Sequence, residues 1–311
     1  ASGVGSYSGG VLSPNGDVHM IPYNSNSGQK ITLTTLVIST YALVYTTVNA
    51  YQGGVLAPNG DIHFIPHNAA VGQKINSFGV VSTYALVYTT SSSYIGGVLA
   101  PNGDIHMIPQ SATVGQKISS AGVVSTYSLV YTVANAYAGG ILAPNGDIYF
   151  IPFNAAVGQK INSSGVVSTY SLVYTTTNVY QGGVLAPNGD IHFIPYKATV
   201  GQKINSSGVV STYSLVYTVA NAYVGGVLAP NGDIHMISQS ATVGQKINSS
   251  GVVSTYSLVY TTTNAYKGGV LTPNGDIHMI PDGANRGQKI NLSGARPFGV
   301  GMCCSPWLNK L

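Results

Sequence analysis

Six times along the chain an aspartate is followed two positions later by a histidine: Asp17/His19, Asp61/His63, Asp104/His106, Asp190/His192, Asp233/His235 and Asp276/His278. In an extended strand, residues two apart share a face, so each pair sets a carboxylate beside an imidazole. That combination ligates metals or relays protons. The seventh occurrence reads Asp147 and Tyr149, and a phenol in place of an imidazole suits a hydrogen-bonded slot but not a metal site. The expected role is structural: the aspartate closes the turn before it, and the histidine fills a polar gap between repeats. A lysine follows Gly-Gln in every repeat, at Lys30, Lys74, Lys117, Lys160, Lys203, Lys246 and Lys289. With one aspartate and one lysine per repeat, a recurrent Asp–Lys contact is the economical expectation, within a repeat or between neighbours. A ring of lysines for an anionic ligand is the weaker reading.

The remaining side chains offer little to an enzyme. There is no glutamate, and every carboxylate but Asp282 belongs to the recurrent motif. No Gly-x-Ser-x-Gly elbow presents a serine nucleophile. Cys303 and Cys304 are adjacent and have no other cysteine to pair with. A disulfide between neighbours is strained, so free or intermolecular thiols are equally compatible with the sequence. No catalytic residue, metal or cofactor is expected.

Charge narrows the partners. The excess of basic residues comes from Lys197, Lys267, Arg286, Arg296 and Lys310, less Asp282, and gives a net charge of +4. These are scattered, whereas nucleic-acid binding needs a clustered basic stripe, so no nucleic-acid partner is expected. Charged residues make up only 6% of the 311, too few for amphipathic helices that must face water. Apolar runs are short, so no membrane-spanning helix is expected. The 22 tyrosines argue against a disordered chain. An all-β protein with a neutral polar surface remains.

The elements that must hold these residues repeat. Gly-Gly-Val-Leu or Gly-Gly-Ile-Leu begins at Gly9, Gly53, Gly96, Gly139, Gly182, Gly225 and Gly268, at spacings of 44 and then 43. Within the unit from Gly182, Val184 to Ala186 reads as a first strand and Asp190 to Pro195 as a second. Gln202 to Ile204 reads as a third, and Val209 to Thr218 as a long fourth rich in β-branched residues and tyrosine. Asn188-Gly189 predicts a primed hairpin turn with both residues at positive φ. Four strands in about 43 residues predict a propeller blade, and seven blades in a closed ring leave no edge exposed by stacking. The expectation is one seven-bladed β-propeller domain over residues 1–311, with Gly-Gly strands innermost and tyrosine-rich strands outermost. The tyrosine-rich strand occurs six times, so the divergent segment 297–311 is expected to complete the seventh blade.

The core Val-Leu-Ala-Pro-Asn-Gly-Asp-Ile-His-x-Ile-Pro resembles highly repetitive propellers with a VLAPNGxIxxIP blade signature. It is distantly similar to NHL-type and tachylectin-type blades. The resemblance covers all seven units, implies the propeller fold, and carries no catalytic residue with it. Such families imply binding or structural roles.

Repeats differ mainly at two positions. After Ile-Pro (Ile-Ser in the sixth unit) stand Tyr23, His67, Gln110, Phe153, Tyr196, Gln239 and Asp282. Before Gly-Gly stand Ser8, Gln52, Ile95, Ala138, Gln181, Val224 and Lys267. Both are assigned to loops on one rim, and loops on a rigid scaffold are where specificity is commonly built. The first set is the candidate binding rim. Asn162, Asn205, Asn248 and Asn291 head Asn-x-Ser sequons and are candidate glycosylation sites. The resulting expectation is a non-enzymatic structural or interaction module, extracellular or on a particle surface, with protein neighbours in an assembly. The alternative is a multivalent lectin that stacks glycans on exposed tyrosines; an enzyme is a minor alternative.

Overall fold

Each repeat folds as a meander whose strands differ in what they bury. In the fifth blade these span Tyr180–Leu185, Ile191–Pro195, Val200–Ile204 and Val210–Ser214, each antiparallel to the next. The second strand is buried throughout, whereas the outer strand alternates between half-buried and exposed residues. The computed structural model describes residues 6–292 apart from 33, 36 and 273. Among them are six four-stranded sheets and a seventh of three strands, each in chain order, with no helix. The chain is a seven-bladed β-propeller with four antiparallel strands to a blade. The expected completion of the seventh blade by residues 297–311 lies outside the described residues, as do Cys303 and Cys304.

Chain contacts define two compact units. Among the described residues one runs to residue 140 and includes 161–168; the other holds 141–160 and the chain from 169 onward. Within the first unit, Val11 and Ile21 of blade one pack with Tyr51, Ile62 and Phe64 of blade two. Val55 and Ile65 meet Tyr94, Ile105 and Met107 in the same way. Within the second unit, Ile141 and Ile151 pack with Tyr180, Ile191 and Phe193, and Val184 and Ile194 with Tyr223, Ile234 and Met236. Each of these four core layers is thus shared by two consecutive blades. The second glycine of Gly-Gly makes this approach feasible: a Cβ on Gly183 would fall 2.7 Å from Ile151 Cδ1.

Two local expectations change. The first strand begins at Tyr180, with a register shift between Tyr180 and Gly183. The buried Tyr180 anchors it by donating its hydroxyl to Val200 O at 3.2 Å. Gln181 and its equivalents therefore lie in a strand and not in an interblade loop. The hairpin is also not the primed turn. Gly189 N donates to Ala186 O at 2.9 Å, and only Gly189, at φ +86°, is left-handed. This is a type I turn closed by a left-handed glycine. Pro187, with its fixed φ, suits the first central position, and Asn188 contributes its Oδ1 as acceptor for Asp190 N at 3.0 Å. The left-handed non-glycine residues instead sit in the connectors between blades: Asn49, Ser92, Asn135, Asn178, Asn221 and Asn264.

Candidate functional site

The recurrent aspartate and lysine meet inside each blade, across the second and third strands. Lys203 Nζ lies 2.6 Å from Asp190 Oδ2, and all seven repeats form the same pair at 2.6–3.1 Å. The Lys203 side chain is about a third exposed and its head bonds a carboxylate that is buried. Lys30 holds the Asp17 carboxyl below its usual range. At Asp104, burial opposes ionisation, but Lys117 and the Ser120 amide together outweigh it.

The histidine fills the expected slot, but within its own blade. His192 Nδ1 stands 3.3 Å from Tyr213 Oη, with the two rings edge to face at 5.5 Å. Burial pushes His63, His106, His192 and His235 down to about 4, with the nearby lysine adding to the effect and the aspartate opposing it. In blade four Tyr149 takes the same place against Tyr170 at 5.6 Å, with Lys160 Nζ 5.3 Å from its ring centre. In blade seven, where no outer-strand tyrosine is described, His278 is exposed. Among the described residues no three His, Cys, Asp or Glu side chains come together as a metal site.

One polar residue escaped the sequence reading. In five repeats the glutamine before the lysine latches one blade to the last. Gln202, fully buried, accepts backbone N–H bonds from Val173 at 2.9 Å and Tyr174 at 2.8 Å in the preceding blade. Gln73, Gln116, Gln245 and Gln288 do the same. This explains why the outer strand ends at Ser214 and not Thr218: Val216 and Tyr217 have already crossed to Gln245. The signal available was strict recurrence of Gly-Gln-Lys.

The candidate rim gathers at the blade end formed by the second-to-third-strand loop and the connector. Tyr23 and His67 bring their rings to 5.9 Å, and Phe153 and Tyr196 to 6.0 Å. Gln110 and Gln239 each donate Nε2 to a connector asparagine, Asn135 at 3.2 Å and Asn264 at 3.3 Å. Both keep a buried Oε1 with no donor. Asp282 pairs with Lys267 at 3.2 Å. His67 is buried and the others half-buried, except the exposed Asp282. Two pairs of rim residues, Tyr23 with His67 and Phe153 with Tyr196, thus pack side by side between consecutive blades. The expectation of exposed tyrosines is not met: every tyrosine of the chain is buried or half-buried.

Among the sequon asparagines, Asn162, Asn205 and Asn248 cap the turn between third and outer strands. Each Oδ1 accepts two backbone amides, for Asn205 those of Ser207 at 3.0 Å and Val209 at 2.9 Å. Asn291 is exposed at the end of the described chain.

No family model matches the chain, and no curated protein does. Solved structures do. A virginiamycin B lyase from Staphylococcus aureus superposes with a TM-score of 0.77 at 16% identity, covering 92% of this chain and 95% of that one. A streptogramin B lyase gives 0.75 at 18%, covering 93% and 94%. Kuenenia stuttgartiensis hydrazine synthase gives 0.68 at 11%, covering 94% and 97%. At these identities the likeness is one of fold.

Proposed function

We propose that this chain is a non-enzymatic interaction module, working outside the cytosol or on a particle surface, that engages protein neighbours through its variable rim. The observation that carries the reading is where the polar groups go. The recurrent aspartates pair with lysines, buried histidines face ring partners in their own blades, and glutamines latch blades together. The repeats differ instead at Tyr23, His67, Gln110, Phe153, Tyr196, Gln239 and Asp282. Three of these are aromatic side chains of the kind that dominate interface energies. The lyases that share the fold are enzymes by name, but at 16–18% identity their activity does not transfer. Low charge suits a protein that packs against neighbours.

A lectin is the second reading, favoured by the donorless oxygens of Gln110 and Gln239 at equivalent positions. Rotation of either amide would offer an acceptor to a glycan hydroxyl, and repeated weak sites gain by avidity. Probing the immobilised protein on a glycan array and against its native extract separates the two. Protein capture without glycan binding supports the first reading, and glycan binding replaces it with the second.

A further inference from the structure

We infer that the outer strands form a self-association surface whose partner is the same strand on a second copy of this chain. The six outer strands are Val37–Ala42, Val81–Ala85, Val124–Ser128, Val167–Ser171, Val210–Ser214 and Val253–Ser257. Among the described residues each pairs with the third strand of its blade and with no other strand. An edge strand turns alternate backbone N–H and C=O groups outward, a template for another strand. Natural sheets blunt such edges with lysine, proline, a bulge or an inward charge. None of these devices is present here. From Val80 to Ser93, and in the equivalent stretches of the other five blades, there is no charged residue and no proline. The register against the third strand is unbroken, as in Val200↔Ser214 through Ile204↔Val210.

The exposed side chains of these edges are threonine, serine, alanine and valine, with Ile38 as well in blade one. Thr83, Thr126, Thr169, Thr212 and Thr255 are exposed at the strand centres. Val87 and Val216 stand 62% and 60% exposed just beyond the strands. An uncharged, β-prone edge selects against a charged partner and favours one of its own kind. Two such edges meeting antiparallel bring no like charges together in any register, and a second copy supplies six matching edges. A single pairing of five residues spans only ~17 Å, short of the ~800 Å² per partner that a stable interface buries. Association at one edge is therefore weak and depends on concentration. This surface is separate from the rim, so either stands without the other.

The test is sedimentation velocity of the full chain across a hundredfold concentration range, at low and high salt. The unaltered protein is expected to shift to heavier species as concentration rises, with no weakening in salt, since no ion pairs are made. Replacing the central threonines with lysine (Thr40→Lys, Thr83→Lys, Thr126→Lys, Thr169→Lys, Thr212→Lys, Thr255→Lys) is expected to weaken association at least tenfold. Asparagine at the same positions should retain it, and so should Tyr23→Ser, Phe153→Ser and Tyr196→Ser together. A strict monomer throughout, or a folded lysine variant that associates as well as the parent, overturns the inference. Should the lysine variant not fold, hydrogen exchange of the unaltered protein decides instead. Outer-strand amides must gain protection at high concentration, and equal exchange at both concentrations rejects the surface.

Discussion

The phenol ring of Tyr213 occupies the space that a side chain at Gly201 would need. A Cβ built on Gly201 falls 2.1 Å from Tyr213 Cε2, and the same overlap recurs for Gly28 with Tyr41, Gly72 with Tyr84 and Gly244 with Tyr256. The two residues are cross-strand partners, and the ring reaches over the glycine to meet His192. Replacing Gly201 with alanine must displace the ring from its slot. A loss of about 1–3 kcal/mol is expected, typical of overpacking, measured by urea denaturation. An unchanged midpoint would mean that the ring moves aside without cost.

The latch gives a second expectation. Gln202→Ala removes the acceptor from the Val173 and Tyr174 amides and leaves both without their partner. Loss of one buried acceptor of this kind costs about 1–3 kcal/mol. Gln202→Glu restores an acceptor but buries a charge, so it should not rescue. Full stability in Gln202→Ala would show that water replaces the glutamine.

Acid should unfold the protein through its histidines. Burial holds His63, His106, His192 and His235 at about 4 in the folded chain, against 6.5 for an ordinary histidine. Between those values the unfolded chain binds more protons, so stability falls as pH drops from 6.5 towards 4. Each histidine contributes on the order of a few kcal/mol to that loss. Asp17, Asp104 and Asp276, held below the usual carboxyl range, lose their stabilisation lower still, as pH falls through their folded values. Thermal melts from pH 7 to 4 read this directly. His192→Gln should flatten part of the slope, and an identical slope in that variant would assign the acid sensitivity elsewhere.

Periodicity made the blade legible: repeat length, four strands and the pairing of one aspartate with one lysine all followed from recurrence. Register was not legible. Gly201 and Tyr213 lie 12 positions apart in the sequence, and only strand pairing makes them partners. Asn-Gly carried a correct turn position with the wrong turn type, because the preceding proline decides between a two-residue and a three-residue loop. Glutamine before lysine reads as an ordinary solvent-facing side chain, although it is the most buried polar residue of the repeat. At the rim, variation between repeats located the side chains but gave no hint that they would pack on one another. Aromatic residues at consecutive blade ends, such as Phe153 and Tyr196, are close enough to touch only once the blades are stacked.

The rim is therefore the surface on which the functional account rests. Its most direct test compares the unaltered protein with a variant carrying Tyr23→Ser, Phe153→Ser and Tyr196→Ser, immobilised in parallel and exposed to the native extract and to a glycan array. Circular dichroism first establishes that both share the same β-sheet signature. The account predicts that the variant loses every specific partner of the unaltered protein by at least tenfold in affinity. Retention of those partners by the folded variant, with loss on altering the Asn188-Gly189 turn end instead, would place the working surface at the opposite end of the blades.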